Sequence, residues 1–466
     1  MLLQIPDRAA MATTDNRNEM RTAFSKAFSD YGMVLVLLLL CGYYSWVTFD
    51  EQHPVGEAGA RALTRQILRR FQKPASVLIV GRDIPEDVLF THALEASLGH
   101  AGFSVEATVR GQPVDARREL ERISSQGVRL DIIAGNHVTA NWAVFGDLKT
   151  AFPSLANAKV IMPQSYRWPN FLKADNLLNV ADQIAVIAIL AIGMTLVIIT
   201  GGIDLSVGSL IALSAVVTAL LIRNLAGAEQ ASVAGMVLGS AGGILVCGLM
   251  GLFSGLMVTV FAVPPFIATL GMMLVASGLA YLLPQGQAVY QIPASFVWLG
   301  RGASVLGIPN AVFLALVLYV LAHLLMSRTT LGRCIYAIGG NRDAARFSGV
   351  PVKRVLLIVY AVCGAMAGLG GVVTASQLRC GSPTYGRLYE LYVITAVVVG
   401  GTSLSGGEGR VFGTLVGALV IAVIQNGMNL TGVESYTQNV VLGLVILGAV
   451  LFDNLKRRGF PLLGRK

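Results

Sequence analysis

A chain of 466 residues that is 54% hydrophobic and only 13% charged, with a mean hydropathy of +0.67, carries more apolar surface than a soluble protein of its size can bury. Its formal charge of +9 does not point to nucleic acid: the stretch from Asp50 to Asp175 is nearly balanced, with 15 basic and 14 acidic residues, so the excess falls in loops and tails between apolar runs. Cys41, Cys247, Cys334, Cys363 and Cys380 follow no metal-ligand spacing and imply no disulfide framework, which leaves a polytopic membrane protein.

Residues 1–30 are polar and carry Arg17, Arg21 and Lys26 ahead of the first apolar run, as expected of a cytoplasmic tail; Met11 is an alternative start. The uncharged run Tyr31–Phe49 is long enough for one transmembrane helix, since about 20 helical residues cross a core of about 30 Å. A cleaved signal peptide is the alternative, but no small-residue cleavage site precedes Asp50. The run reads as an uncleaved first helix at 31–49 with its N-terminus inside.

Residues 50–166 have the composition of a soluble domain. Val77–Gly81, Phe103–Val109, Leu130–Ala134 and Val160–Met162 read as strands, and Glu86–Gly99, Val114–Ser125 and Asn141–Phe152 as the helices between them. That alternation predicts an inserted parallel α/β domain, extracytoplasmic by parity, which by its pattern resembles one lobe of the type I periplasmic sugar-binding proteins. Ligands of open parallel sheets sit beyond the carboxyl ends of strands, here at Arg82, Asp83, Arg110, Asn136 and His137. These are candidates for a ligand or docking edge, and equally ordinary loop residues.

The aromatic Trp168–Phe171 segment suits a membrane interface and opens a core expected over 167–453. A second helix over Val180–Thr200 ends at Gly201 and Gly202. Asp204 then stands where an N-cap belongs, ahead of Ser206, Gly208 and Ser209; the first reading is a helix cap, the second a charge lining a cavity. Later apolar runs bring the expectation to about ten transmembrane helices, with the run at Tyr389 short enough to fall short of a full crossing. Gly201, Gly202, Asp204, Ser206 and Asn426 are the candidates for translocation and gating.

The polar island Ser327–Val355 sets Arg328, Arg333, Arg342, Arg346, Lys353 and Arg354 against Asp343, which places it in the cytoplasm. Gly339 and Gly340 break what precedes them, Asn341 is a good N-cap, and Arg342–Phe347 gives about two helical turns before Gly349 and Pro351. A short capped helix results, suited to docking a cytoplasmic partner. A basic tail at 454–466, with Lys456, Arg457, Arg458, Arg465 and Lys466, falls on the same side by parity.

From about Trp168 to Asp453 three motifs, Gly193–Ser214, the 327–355 island and Gly400–Leu430, together resemble the ribose, xylose and arabinose type permease subunits of bacterial ABC importers. The resemblance implies a pore in the inner membrane, a second copy as homodimer partner, a periplasmic sugar-binding protein, and a separate ATPase that holds ATP and magnesium. It also implies a coupling helix, carried here by Asn341, Arg342, Ala344, Ala345, Arg346, Gly349 and Val350. The chain itself is expected to bind no cofactor and to catalyse no reaction: its LSGGE at Leu404–Glu408 imitates an ATPase signature, but no lysine follows a glycine, so no phosphate-binding loop is present. A ligand-sensing receptor using the external domain is the alternative, against which stands the short tail after the last helix. A pentose, hexose or related polyol is the expected cargo.

Overall fold

A computed structural model describes residues 32–304 and 307–458, so the expected tail at 1–30 and most of the basic tail lie outside the described residues. The chain forms two compact units: one holds the segments on either side of the insert, and the other is Phe49–Asn170.

In the first unit, seven helices are long and apolar enough to cross a membrane. They are α7 (Ala174–Ile199), α8 (Val207–Leu225), α9 (Val233–Thr259), α10 (Pro265–Leu282), α12 (Asn310–Arg328), α15 (Val352–Leu378) and α17 (Val411–Leu430). Three shorter apolar helices join them: α1 (Gly32–Val47), α16 (Tyr389–Val399) and the Ser435–Leu451 stretch of α18 (Ser435–Arg458). The ten apolar runs of the sequence thus become seven helices long enough to span and three shorter ones among the described residues. Three helices of the unit do not cross: α11 (Trp298–Arg301), α13 (Thr330–Gly340) and α14 (Arg342–Phe347).

Helix α7 is apolar on every side and buried from Ile184 to Ile199, the signature of a central helix. It packs against α12, α15, α16 and α17, and its few polar contacts are satisfied: Tyr319 donates to the Ala188 carbonyl at 3.1 Å, and the Thr195 and Thr414 hydroxyls share a 2.8 Å bond. Helix α9 carries Gly239, Gly243, Cys247, Gly251 and Gly255 at four-residue spacing on one face. Through them its backbone touches Thr218 and Ile222 of α8 and Tyr360 and Gly364 of α15. In lipid no hydrophobic force joins helices, so such close van der Waals approach is what holds them. The opposite face exposes Leu238, Leu245, Leu249 and Phe253, as a lipid-facing surface requires.

The second unit is built on a sheet ordered β3-β2-β4-β5, from β2 (Ser76–Gly81), β3 (Ser104–Arg110), β4 (Ile132–Gly135) and β5 (Lys159–Ile161), every pairing parallel. Alternation in β2 sends Val77 and Ile79 to a layer with Leu63, Ile67, Phe90 and Leu94 of α2 (Gly56–Arg70) and α3 (Pro85–His100). Leu78 and Val80 face the other layer, with Leu120 and Ile123 of α4 (Pro113–Ser125) and Phe145, Leu148 and Phe152. The helix expected over Asn141–Phe152 is instead two single turns, α5 (Ala143–Gly146) and α6 (Leu148–Ala151), separated at Asp147, whose dihedrals leave the helical region. Where the chain enters and leaves this unit, β1 (Phe49–Gln52) and β6 (Tyr166–Pro169) pair antiparallel, Phe49 opposite Pro169 and Gln52 opposite Tyr166. The Gln52 amide locks the pair by donating to the Trp168 carbonyl at 3.2 Å and to Asn170 at 3.1 Å.

Candidate functional site

The short helix of the island has the geometry its sequence grammar demands. The Asn341 carboxamide oxygen accepts from the backbone N–H of Asp343 at 3.1 Å and of Ala344 at 2.9 Å. At the other end Gly349 takes φ +82°, a conformation open to glycine, and Val350 N–H closes on the Ala345 carbonyl at 3.0 Å. Ala345 is buried and anchors α14, while Arg342, Asp343, Ala344 and Arg346 point to solvent. Phe347, which spacing alone does not single out, is 88% exposed. A fully presented aromatic beside two arginines is what a protein-docking surface offers.

Behind this knob lies a joint made of backbone. Gly339 and Gly340 are the last residues of a helix, α13, that ends there and that the sequence reading leaves out. Gly339 lies so close to the Ile199 carbonyl at the end of α7 and to the Gly407 amide that a Cβ would overlap both. Gly407 N–H donates to that same Ile199 carbonyl at 2.9 Å, and the Tyr336 hydroxyl of α13 donates to the Gly409 carbonyl at 2.7 Å. Gly406 and Gly407 have φ of +84° and +79°. The LSGGE stretch is therefore a tight turn between α16 and α17 that fastens the end of α7 to the island.

Gly201, Gly202, Asp204 and Ser206 come together in one non-helical segment after α7, Gly201 with φ +78°. Asp204 is not the cap of α8. Its Oδ1 accepts from the Ser206 N–H at 2.9 Å and from the Ser206 hydroxyl at 2.6 Å, closing an Asx turn one residue short of the helix, whose N-cap position is Ser206. Asp204 is fully buried, and its Oδ2 has no hydrogen-bond partner among the described residues. Asn426 lies apart from this group: it exchanges two amide hydrogen bonds, of 2.9 and 3.0 Å, with Asn176, tying α17 to α7.

In the insert Arg82, Arg110 and Asn136, three of the candidate strand-end residues, are held by neighbours within the domain, while the buried Nδ1 of His137 has no hydrogen-bond partner among the described residues. Arg82 donates through its backbone N–H, Nε and Nη2 to the Asp87 carboxylate at 3.0, 2.8 and 3.2 Å. Burial alone would raise the Asp87 carboxyl, but the hydrogen bonds of Arg82 and Asn136 overcome it and hold the group below its ordinary value. Asn136 also accepts from the N–H groups of Val138 and Thr139, each at 2.9 Å, and Arg110 donates to Thr91 at 3.0 Å. His137 stacks on His53 with centroids 4.2 Å apart, and burial, then the neighbouring His53 and Arg82, lower its pKa. Asp83 is exposed. A cleft of about 470 Å³ opens beside the end of β5, lined by Glu51, His53, Gln66, Arg70, Gln164 and Ser165 among others. Nothing in the spacing of those six marks them as neighbours.

Residues 176–450 match the family model described as branched-chain amino acid transport system / permease component. That match covers more than half of the chain and contains the island, the joint and the Asp204 segment. The chain belongs to this permease family. It is 44% identical to the ribose import permease protein RbsC of Escherichia coli K12 over 293 residues, 62% of this chain and 88% of that protein. It is 38% identical over 315 residues to the D-allose transport system permease protein AlsC of the same organism, 68% of this chain and 94% of the relative. To the L-arabinose ABC transporter permease protein AraH of Azospirillum brasilense it is 36% identical over 289 residues, 62% of this chain and 83% of the relative. No solved structure matches the chain. As a permease the chain is an integral membrane transporter subunit, not an enzyme, and the family match begins after the insert.

Proposed function

We propose that this permease forms, with a second copy of itself, the membrane pathway of an ATP-binding-cassette importer for a monosaccharide, with ribose and related aldoses the first candidates. The carrying observation is the likeness to the sugar permeases over the segment that holds the island and the Asp204 break. A sugar-loaded binding protein docks from outside. A separate ATPase pair binds ATP and magnesium and pulls on α14, and the joint at Gly339 and Gly407 carries that movement to α7. The basic island faces the cytoplasm by the positive-inside rule, so the insert is extracytoplasmic in a bacterial inner membrane.

Purified permease, ATPase and binding protein in proteoliposomes should take up one or more labelled sugars of a ribose, xylose, arabinose, allose and glucose panel only with ATP present. Uptake of none of them by an assembled, ATP-hydrolysing complex would overturn the assignment. The orientation has its own check. In spheroplasts a cysteine at Ser97 should react with a membrane-impermeant maleimide and one at Ser348 should not; the reverse pattern would invert the topology.

A further inference from the structure

The membrane unit breaks twice within its span, and the two breaks meet. The first follows α7. Asp204 lies beside Cys363, and Cys363 packs on Gly193. Gly193 is about 9 Å before the end of α7, and Cys363 is about 17 Å into α15, at 1.5 Å per residue. Helix α8, which begins just after Asp204, therefore starts alongside the body of α7 and α15 and not level with the end of α7.

The second break follows α15. Gly381 packs on Ala215 and Ala219 of α8, and Gly386 on Gly208 and Ile211, so the segment Arg379–Leu388 runs back down α8 by about two turns. Helix α16 then begins, with the Glu390 carboxylate against Gly208 and only 11 residues, about 16 Å, to run. Two helix starts and three charged residues, Asp204, Arg387 and Glu390, thus gather at one depth. Arg387 is exposed on the protein surface and Glu390 is half-buried, and neither forms an ion pair with another of the described residues. A charge at this depth facing hydrocarbon costs several kcal/mol, whereas irregular backbone and charge are tolerated where they border water.

We propose that Arg387 and Glu390 border the aqueous pathway and contact the sugar in transit. The inference rests on the importer reading and adds the site. A sugar hydroxyl both donates and accepts: the Glu390 carboxylate accepts a hydrogen bond from it, and the Arg387 guanidinium donates one to a ring or hydroxyl oxygen. Sequence distance hides the site, because Glu390 is remote in sequence from Gly208, the residue its carboxylate lies against.

Two measurements on the reconstituted complex test it. With variants compared at equal amounts of monodisperse complex, Glu390→Gln should lower ATP-driven uptake at least tenfold, Arg387→Gln at least fivefold, and Glu390→Asp less than threefold. Independently, Arg387→Cys should react with a membrane-impermeant thiol reagent, read as a mass shift on the peptide carrying residue 387, and more slowly with transported sugar present. Wild-type uptake by Glu390→Gln, or an unreactive position 387 in monodisperse complex that still hydrolyses ATP, would overturn the assignment. A wild-type complex that moves no sugar would sink the importer reading instead, and reactivity at 387 would still report whether this depth faces water.

Discussion

Replacing Gly339 with alanine is expected to disrupt the transporter far more than the same change one residue on. At Gly339 the new methyl group overlaps the Ile199 carbonyl and the Gly407 amide, both backbone, so no side chain can rotate away. Either α13 shifts or the 2.9 Å hydrogen bond from Gly407 to Ile199 breaks. Overpacking typically costs about 1–3 kcal/mol, and a buried polar group left unpaired about as much again. At Gly340 a Cβ meets nothing within 4 Å. There alanine should be neutral or slightly stabilising, by up to about 1 kcal/mol of helix propensity. Thermal unfolding in detergent and ATP-driven uptake should separate the two variants, with Gly339→Ala losing uptake by a factor of about 30 or more, equivalent to roughly 2 kcal/mol. Equal behaviour of the two would mean that the joint yields and transmits nothing.

The second large effect is expected at Arg346. Its guanidinium points to solvent from α14, on a helix held rigidly by Asn341 at one end and Gly349 at the other. Its side chain has no ion pair or hydrogen bond among the described residues, so Arg346→Glu should leave folding and membrane insertion intact. At a docking surface, inversion removes an attraction and adds a repulsion, and central anchors of this kind contribute about 2 kcal/mol or more, roughly thirtyfold in affinity. ATP hydrolysis stimulated by the loaded binding protein should therefore collapse, and co-purification of the ATPase should weaken. Stimulated hydrolysis at the normal level would show that α14 is not where the ATPase pulls.

How far the molecule could be read from its sequence depended on whether the signal was local. Helix α14 was legible because its cap, its glycine stop and its proline all lie within ten residues or so. Strands β2, β4 and β5 announced themselves as short runs of Val, Ile and Leu between turns, and β3 by its two valines in an alternating stretch. Helix α13 was not legible: local rules treat Gly339–Gly340 as a break, and only the approach of Ile199 and Gly407 from elsewhere in the chain shows that the missing side chains serve contact. Helix α2 hides for another reason, since its buried stripe of Ala60, Leu63, Thr64 and Ile67 is thin among arginines and glutamine. Asp204 lay within two residues of the correct reading, yet whether an aspartate caps a helix or closes the turn before it depends on dihedrals that its neighbours do not encode. The depth of Glu390 is wholly tertiary, because an 11-residue apolar helix has the same sequence whether it begins at a surface or halfway through.

The ribbon of β1 and β6 has a consequence for the ancestry and engineering of such proteins. A flexible connection lengthened roughly twentyfold would raise the entropic cost of closing the chain between α1 and α7 by about 3 kcal/mol. Here the strands meet at Phe49 and Pro169, so the membrane helices are joined by what amounts to a short hairpin, whatever is threaded beyond it. A cassette closed in this way can be gained, lost or exchanged for another folded module with little penalty to the helices it interrupts, which makes this seam the natural place to graft a reporter or a foreign binding domain onto a permease.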